Sequence, residues 1–583
     1  MKIVNVIPPA MSGESHQDSG PNIAVNPNNT NEIVISALTP DPNGGPNAPV
    51  YVSTDGGDTW TMKSIIPHNG PMGTFGITLK YGQTSNELYA GIVKGTDLYA
   101  SEILRTKHPA GGITMTELDS TQQISIEQPY VAAATVSSGP DAGKDRLYVG
   151  MNVLKSEPFP GPDAGKTSTI KQTMDAQAGA PLFSSISLDS RDKSAPAFQD
   201  SGPRNGPQVR PAVHNDGTVY AVFYSWKTWA DPGDGNGLVT SDVVIVRDDN
   251  WGQSTNPYGS LIDSGDGQAG QRIAIGVRIQ FYGRLGQERV GGELAIAVDP
   301  TNSSNVYVAW AEVEFGGGGP GIDINWLHLR KSIDRGQTWS DEDLLAIRNG
   351  KNPGLAINDK GQIGFLYQQL KRSHNSQKWQ THLAFSADDT HWNDMVLATV
   401  PAATPLRQFF PYIGDYANIM TVGDTFYGVF CTNNFPSLAN FPQGVHYQRN
   451  HNFVTKKLFA LDGHTEVAPS IDPFFFKTGF IPPKPNLKPP LKDYSSVIFI
   501  LFGIINDGGG VYIDPSGHIH IVGPGDPGPL WGYLVSLAEY RLATAINNKS
   551  GLEMQKLALQ NVINMANTQI AQINDQLGQM RGE

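Results

Sequence analysis

The sequence contains one cysteine, Cys431, among 583 residues. A single cysteine excludes an internal disulfide framework and a zinc site built from cysteine ligands, so Cys431 is predicted to be a buried packing residue. Basic residues are also scarce, because 42 Lys and Arg stand against 55 Asp and Glu, which gives a formal net charge of -13. This charge argues against nucleic acid or an anionic membrane surface as a partner.

Long apolar runs are absent as well. The longest, residues 497–505, is far shorter than the roughly 20 residues that a membrane-spanning helix needs. Residues 1–9 contain no apolar core of the length found in secretory signals. We therefore expect a soluble protein without a membrane span, whose compartment the sequence leaves undetermined. Export by a specialised secretion route stays open.

Glycine and proline, in contrast, are abundant. The 64 Gly and 42 Pro residues suit many short strands joined by tight turns. Seven segments share one plan, a strand rich in Val, Ile and Ala, then a polar turn, then a strand with aromatic and small residues; they begin near residues 21, 75, 129, 211, 294, 353 and 415. A second pair of strands follows each segment. The repeat predicts an all-β fold, a seven-bladed β-propeller over residues 1–462, with residues 3–7 pairing with the last sheet to close the ring.

One eight-residue pattern occurs twice. Residues 53–60 and 332–339 both fit Ser-x-Asp-x-Gly-x-Thr-Trp. In such a turn the Ser and Asp oxygens can accept hydrogen bonds from nearby backbone N–H groups, Gly supplies a positive φ, and Trp covers the turn. Degenerate copies occur at residues 247–251 and 386–392. We predict a structural role in hairpins between outer strands for Ser53, Asp55, Gly57, Trp60, Ser332, Asp334, Gly336 and Trp339.

This pattern resembles the Asp-box, or BNR repeat, of the sialidase superfamily, whose members are β-propellers. Because sialidases usually have six blades, a six-bladed ring is the alternative. The resemblance implies a glycan or glycoconjugate as ligand and, in an active glycosidase, arginines that grip a substrate carboxylate, a Tyr nucleophile activated by a Glu, and an Asp acid/base. It does not fix activity, because fold alone does not determine function.

Candidate site residues are sought where the innermost strands begin, because the loops that lead into these strands converge at one end of a propeller channel. The candidates for catalysis are Asp415, Tyr416 and Glu293, and those for substrate binding are Arg210, Arg407, Glu127 and Asp18. Gly414-Asp415-Tyr416 resembles a motif of bacterial sialidase-like proteins with Asp-boxes. Adjacent residues of a strand point to opposite faces, so Asp415 and Tyr416 reach one site only through a bulge. Core packing of Tyr416 and a salt bridge of Arg210 between sheets are the structural alternatives.

The sequence departs from true sialidases near its N-terminus. It has no Arg-Ile-Pro motif there, and residues 1–25 contain no arginine. Sialic acid is therefore in doubt, and a neutral sugar, or no reaction, fits as well. Two hypotheses remain: a glycoside hydrolase of the sialidase type, and a non-catalytic binding or structural propeller such as an adhesin or a cargo protein.

Evidence for metals or other cofactors is weak. The oxygen-rich segments 231–237 and 263–267 could bind Ca²⁺, but neither has the spacing of a twelve-residue calcium loop, so plain turns are favoured. His518 and His520 alternate on a predicted strand without a third ligand nearby, which favours a solvated face. No metal site and no cofactor is predicted.

The composition changes after the predicted propeller. Residues 463–495 are rich in proline and are interpreted as a linker. Residues 496–529 are predicted to form a small β-element, and residues 530–583 to form helices. In these helices a heptad seam is formed by Leu559, Ile563, Ala566, Ile570, Ile573, Leu577 and Met580. The seam predicts a short coiled coil. These helices either pack on the β-element, or they serve in self-association or in docking onto a protein partner.

Overall fold

The structure is a computed structural model that describes residues 1–38, 47–67, 74–95, 99–123, 129–154, 166–191, 207–230, 238–281, 289–290, 293–315, 323–373, 376–402, 413–414, 416–482, 510–513 and 519–522. Within these ranges, helical structure is limited to single 3₁₀ turns at Pro9–Met11, Pro109–Gly111 and Leu438–Asn440. None of the described helices has the length and apolar character that crossing a bilayer requires. The chain divides into two compact units, Met1–Pro483 and Lys484–Glu583.

The first unit begins with one strand that precedes its first sheet, β1 (Lys2–Asn5). Three sheets of four consecutive strands follow. The first contains β2 (Ser19–Val25), β3 (Ile33–Leu38), β4 (Asn47–Ser53) and β5 (Thr61–Pro67). The second contains β6 (Thr74–Tyr81), β7 (Leu88–Gly95), β8 (Tyr99–Thr106) and β9 (Thr116–Gln123). The third contains β10 (Tyr130–Thr135), β11 (Asp145–Leu154), β12 (Lys166–Thr173) and β13 (Phe183–Ser187).

The next three sheets repeat this antiparallel order. The fourth contains β14 (Val209–Val213), β15 (Val219–Ala230), β16 (Leu238–Asp248), β17 (Gln271–Phe281) and the short β18 (Arg289–Val290). The fifth contains β19 (Leu294–Asp299), β20 (Asn302–Glu314), β21 (Ile324–Ser332) and β22 (Leu345–Arg348). The sixth contains β23 (Gly350–Ile357), β24 (Ile363–Ser373), β25 (Ser376–Ser386) and β26 (Asn393–Pro401).

The last sheet joins the two ends of the unit. It combines β27 (Asn418–Val422), β28 (Thr425–Asn433), β29 (His446–Tyr447) and β33 (Ile471–Gly479) with β1, in the order β27-β28-β33-β1-β29. A small separate sheet contains β30 (His451–Asn452), β31 (Lys457–Phe459) and β32 (Glu466–Val467). Strand β1 runs antiparallel to β33, with Val4 opposite Phe475. The predicted pairing of the N-terminal strand with the last sheet is therefore confirmed.

The innermost strands of the sheets form a ring. In the part of the chain described, β2, β6, β10, β14, β19, β23 and β27 each contact the next strand of this series, and β27 contacts β2. Apolar side chains fill the space between neighbouring sheets; one cluster joins Tyr224 and Ile245 of the fourth sheet to Leu294 and Trp310 of the fifth. The all-β fold and the propeller architecture predicted from the repeats are thus observed.

The predicted end of the propeller at residue 462 needs correction. Strand β33 is an internal strand of the last sheet, between β28 and β1, and it lies inside the predicted linker 463–495. The proline content suggested a linker, yet Pro473 lies within this strand and is followed by Phe474, Phe475 and Phe476, all buried. Burial of these three rings outweighs the hydrogen-bond donor that proline lacks.

The second unit contains one described element. Strands β34 (Gly510–Ile513) and β35 (Ile519–Val522) pair antiparallel, with Tyr512 opposite His520. Both strands fall within the predicted β-element of residues 496–529. His518 and the predicted helices of residues 530–583 lie outside the described residues.

Candidate functional site

The two repeated turns, the Ser53 turn (residues 53–60) and the Ser332 turn (residues 332–339), have the same hydrogen bonds. Ser53 Oγ accepts from Gly57 N at 2.9 Å, and Asp55 accepts from Thr59 N at 2.9 Å and Thr59 Oγ1 at 2.5 Å. In the second turn the corresponding distances are 2.8, 2.9 and 2.6 Å, with Ser332 and Asp334 as acceptors. The degenerate copy at residues 386–392 has a related network, in which Ser386 Oγ accepts from Asp389 N at 3.0 Å and Asp388 Oδ1 accepts from His391 N at 2.8 Å.

Each of these turns joins the third and fourth strands of its sheet, at the end of the ring where the innermost strands finish. Gly56 N donates to the carbonyl of Asn31, in the connection between β2 and β3. Trp60 is buried, with its ring 5.3 Å from that of Phe475 in the last sheet. Gly57 has a φ of +93°, and a Cβ there would lie 2.1 Å from the Phe475 ring, so only glycine fits. This geometry supports a structural role for the Ser53 turn.

The opposite end of the ring contains the candidate site. Residues at or near the start of β10, β14, β19 and β27, together with residues 353–355 within β23, enclose a cavity of about 40 Å³. Its walls include Tyr130, Gln208, Arg210, Glu293, Tyr416 and Asn418. The volume holds only a few water molecules. Five separate segments of the chain therefore converge on the axis, and three of the predicted site residues, Arg210, Glu293 and Tyr416, lie together.

Arg210 is the central cation of this axial cavity. Its Cζ lies 4.4 Å from the ring centre of Tyr130 and 5.7 Å from that of Tyr416, within the range of cation–π contacts. Its Nη2 donates to Gln208 Oε1 at 2.8 Å. Tyr130 in turn accepts from Asn418 Nδ2 at 2.9 Å. Burial raises the pKa of Tyr130, although Arg210 acts in the opposite direction.

Glu293 forms the anionic side of the cavity and is paired across two sheets. Its Oε1 lies 2.6 Å from Nζ of Lys351, and both side chains are almost fully buried. Its Oε2 has no hydrogen-bond partner among the described residues. The backbone of Glu293 is also held, because its carbonyl accepts from the Tyr224 hydroxyl at 3.0 Å and from Ala311 N at 3.1 Å. Burial, and then the nearby Glu293 carboxylate, raise the pKa of Tyr224 well above its usual value.

The backbone before Tyr416 is fixed by close packing. Gly414 has a φ of +85°, and a Cβ there would lie 2.3 Å from Gly20 N, so the glycine of the Gly-Asp-Tyr sequence is required for this approach. Asn352 Nδ2 donates to the Gly414 carbonyl at 3.0 Å and to Gln368 Oε1 at 2.8 Å. The sixth sheet thus positions the segment that carries Tyr416.

The remaining predicted residues have different outcomes. Asp18 does not line the axial cavity; it is buried, and its Oδ2 accepts from the Tyr51 hydroxyl at 2.9 Å. Asp415, Arg407 and Glu127 lie outside the described residues. Sequence reasoning missed Tyr130, Gln208, Lys351 and Asn418 as wall or pairing residues. All four lie at or near the beginning of innermost strands, and this position was the signal that could have identified them. The prediction considered only acidic residues, arginines and Tyr416 at such positions.

Asp18 belongs to a separate buried cluster of charges beside the last sheet. Arg449 Nη1 lies 3.1 Å from Asp472 Oδ2 and 3.8 Å from Glu14 Oε2. Asn434 Nδ2 donates to Asp472 Oδ1 at 2.7 Å. Burial, followed by the nearby Asp18 and Asp472 carboxylates, raises the pKa of Glu14 to about 10, although Arg449 opposes the change. Glu14 is therefore protonated at neutral pH.

The structure describes only one of the two segments that were considered for Ca²⁺, residues 263–267, and this segment forms a turn. In residues 263–267, Asp263 Oδ1 accepts from Arg272 Nη2 at 2.9 Å and from Gly265 N at 2.7 Å, so protein donors already occupy the carboxylate. Burial acts to raise the pKa of Asp263, but the bonds from Arg272 outweigh it and hold the pKa well below its usual value. Residues 231–237 are not described. In the described part of the chain, no group of three or more His, Cys, Asp or Glu side chains is arranged for a metal ion.

Comparison with known proteins gives distant structural neighbours. No protein-family model and no curated protein sequence matches the chain. The α-L-arabinofuranosidase Arb93A from Fusarium graminearum, in complex with an iminosugar inhibitor, is 10% identical, with a TM-score of 0.34 over 81% of this chain and 97% of that chain. The Penicillium chrysogenum α-L-arabinanase complexed with arabinobiose is 10% identical, with a TM-score of 0.33 over 81% and 97%. The Hadza microbial sialidase Hz136 is 11% identical, with a TM-score of 0.32 over 68% and 70%. At these identities and TM-scores the neighbours carry no argument about the activity of this chain.

Proposed function

We propose that this chain is a glycan-directed, seven-bladed β-propeller whose ligand site is the axial cavity. The blade count is supported by the seven sheets of four or five strands in the described chain and by their ring of innermost strands. The site is supported above all by the convergence of Arg210, Tyr130 and Tyr416 on one cavity. A guanidinium matches a carboxylate in a bidentate geometry, and tyrosine offers both an apolar ring face and a hydroxyl.

The volume of the cavity limits what can enter it. About 40 Å³ accommodates a substituent of a sugar, such as a carboxylate or a hydroxymethyl group, but not a whole sugar ring. The proposed ligand therefore rests on the rim and extends one polar group towards Arg210. An acidic sugar gains most from this arrangement because its carboxylate can pair with the guanidinium.

Binding is better supported than hydrolysis. A tyrosine nucleophile needs a carboxylate that accepts its proton, and Glu293 is the candidate base in the same cavity. Its Oε1, however, lies 2.6 Å from Lys351 Nζ, so a buried cation already engages this oxygen. Glu293 is therefore proposed to shape the site rather than to accept a proton.

Calorimetric titration tests the binding proposal. Full-length protein is titrated with sialyllactose, oligoglucuronides and neutral oligosaccharides, and compared with Arg210→Gln and with the exposed control Arg372→Gln. We expect an acidic probe to bind and its affinity to fall at least about tenfold in Arg210→Gln, as the loss of one charge-assisted contact predicts. Equal affinity in the wild type and Arg210→Gln would refute the site.

Hydrolysis remains a second candidate because Tyr416 and Glu293 line the same cavity. A panel of aryl glycosides that includes sialosides would detect it, with Tyr416→Phe and Asp415→Ala as variants. Turnover that both variants lose would establish glycosidase chemistry at this site. Turnover unchanged in Asp415→Ala would remove Asp415 from the mechanism, and no turnover on any sugar would exclude the class for this panel.

The heptad seam of residues 559–580 supports a further part of the proposal, self-association or docking through the C-terminal region. Truncation after Pro483 respects the boundary of the first compact unit. Light scattering should give a larger oligomer for the full chain than for the truncated chain. An equal oligomeric state in both would count against self-association.

A further inference from the structure

A second, larger cavity lies between the fourth and fifth sheets. Its volume is about 540 Å³, within the range of small-molecule sites, whereas the axial cavity measures about 40 Å³. It is lined by residues of β17, β20, β21 and β22, and shares none of them with the axial cavity. We refer to it as the lateral cavity.

One wall of the lateral cavity is the indole of Trp326, at the beginning of β21. Trp326 is half-buried, and its Nε1 donates to Glu314 Oε2 at 2.7 Å. This bond fixes the orientation of the ring and of the carboxylate that accepts from it. A fixed aromatic face loses little conformational entropy when a ligand stacks on it.

A second wall is the carboxylate of Glu312, which lies beside His328. His328 Nε2 lies 3.1 Å from Glu312 Oε1, and Nδ1 lies 2.7 Å from Asp343 Oδ2. The His328 ring also stacks on Trp310, with centroids 4.9 Å apart. Burial lowers the pKa of His328, but the bonds to Asp343 and Glu312 outweigh this and raise it to about 9. Glu312 is thus held in place by a cation that packing has already oriented.

The third wall consists of Arg278 and the unfilled space beside Gly276. Arg278 is exposed, and its Cζ lies 5.6 Å from the ring centre of Phe315. Gly276 precedes it in β17 with a φ of +72°, and a Cβ added there would meet no atom within 4 Å. The strand therefore leaves room for a ligand where a side chain would otherwise stand.

The charges around the lateral cavity balance. Two acidic side chains, Glu312 and Glu314, line it together with two basic ones, Arg278 and His328. Outside the lining, Asp343 pairs with both His328 and Arg330. The lining therefore has no net charge that would favour an anionic or a cationic ligand. A hydroxyl group is both donor and acceptor, so a polyhydroxyl ligand can donate to the carboxylates and accept from the guanidinium.

We propose that the lateral cavity binds a neutral saccharide, with a sugar ring stacked on Trp326 and its hydroxyls bonded to Glu312, Glu314 and Arg278. This site goes beyond the proposed axial function, because the two cavities have no residue in common. A propeller with both would hold one polysaccharide or glycoconjugate at two points, and affinity for a long chain would exceed that for either fragment.

Calorimetry with neutral oligosaccharides tests the lateral site. Cellohexaose, xylohexaose, mannohexaose and maltohexaose are titrated into the full-length protein, Trp326→Ala, and the control Trp392→Ala, which removes a half-buried tryptophan of the sixth sheet. We expect at least one probe to bind, with affinity about tenfold weaker in Trp326→Ala and unchanged in Trp392→Ala. Absence of binding by every probe at millimolar concentration would overturn the proposal.

A second variant separates loss of the site from loss of the fold. Gly276→Asn keeps the backbone N–H that donates to Asp242 Oδ1 at 2.9 Å, tolerates the positive φ and places a side chain in the cavity. We expect weaker saccharide binding at an unchanged melting temperature; wild-type binding in this variant would refute the site. Arg210→Gln should retain the neutral ligand. If Arg210→Gln loses that ligand while Trp326→Ala keeps it, the sugar occupies the axial cavity, and only the lateral proposal fails.

Discussion

The two ends of the ring use carboxylates in opposite ways. At the end that carries the repeated turns, Asp55 is exposed and Asp334 half-buried, and partial burial is outweighed by hydrogen bonds from Thr59 and Thr338 that lower the pKa of each carboxyl. At the end where the innermost strands begin, Glu293 and Asp472 are buried beside Lys351 and Arg449. The carboxylates of the first end complete short local turns, whereas the buried ones join segments that are distant in the chain. Stability should therefore depend far more on single charges at the second end.

The largest effect is expected for Lys351→Met. This change leaves the Glu293 carboxylate buried without its cation, which typically costs about 3–5 kcal/mol. Urea unfolding measures the loss, with the exposed Lys378→Met as the control. The double variant Lys351→Met/Glu293→Leu should recover much of the stability because it removes both charges. If Lys351→Met were as stable as Lys378→Met, the axial pair would not be a structural element of this end.

Substitution of the turn glycines separates backbone strain from steric overlap. Gly57 and Gly336 occupy the same turn position with φ of +93° and +82°. A Cβ at Gly57 would lie 2.1 Å from the Phe475 ring, whereas at Gly336 the nearest atom, on Leu261, is at 3.3 Å. We expect Gly336→Ala to cost about 1 kcal/mol from the positive φ. Gly57→Ala should cost roughly 1–3 kcal/mol more from overpacking. Equal melting temperatures for the two variants would show that the Phe475 side chain in the last sheet moves to accommodate the added methyl group.

The turn carboxylates themselves should contribute less. Asp55→Ala removes acceptors for Asp58 N, Thr59 N and Thr59 Oγ1, all at an exposed site, so we expect a loss on the order of 1–2 kcal/mol. Asp334→Ala removes the matching bonds to Thr338 and should cost a similar amount. Because the turns lie in different sheets, the double variant should show additive losses in denaturant unfolding. A loss above additivity would indicate coupling between the first and fifth sheets.

The same contrast explains what the sequence could and could not predict. All the hydrogen bonds that define the Ser53 turn, apart from its contacts with neighbouring segments, fall within residues 53–60, so a short pattern sufficed. The alternating strands and the closing role of β1 were equally readable, because each depends on local apolar patterning. Strand β33 was missed because the prolines of residues 463–495 suggested a linker, while the partners of the strand lie in β28 and β1.

The axial site was only partly predictable for a related reason. Arg210, Glu293 and Tyr416 were selected because charged or phenolic residues begin innermost strands, and the ring does bring them together. Their actual partners, Tyr130 and Lys351, come from other sheets, and nothing local in the sequence pairs them. Asp18 satisfied the same positional rule but lies in the cluster around Arg449 and Asp472, since it precedes a strand that packs beside the last sheet.

The most specific prediction concerns Glu14 and pH. The folded protein holds this carboxyl at a pKa of about 10, mainly through burial and then through Asp18 and Asp472, against an ordinary value of 4.5. Between these values the folded chain keeps a proton that the unfolded chain releases, so the contribution of Glu14 to stability falls as pH rises from 4.5 towards 10. Glu14→Gln cannot ionise and should match the wild type near pH 4, then exceed it by a margin that grows with pH, by up to about 1.4 kcal/mol for each pH unit above 4.5. Thermal unfolding at several pH values, with the exposed Glu342→Gln as control, measures the difference. A difference in stability between Glu14→Gln and the wild type that stays constant across this pH range would mean that folding does not change the proton affinity of Glu14. Burial at this end of the ring would then have no effect on the pH dependence of stability through Glu14.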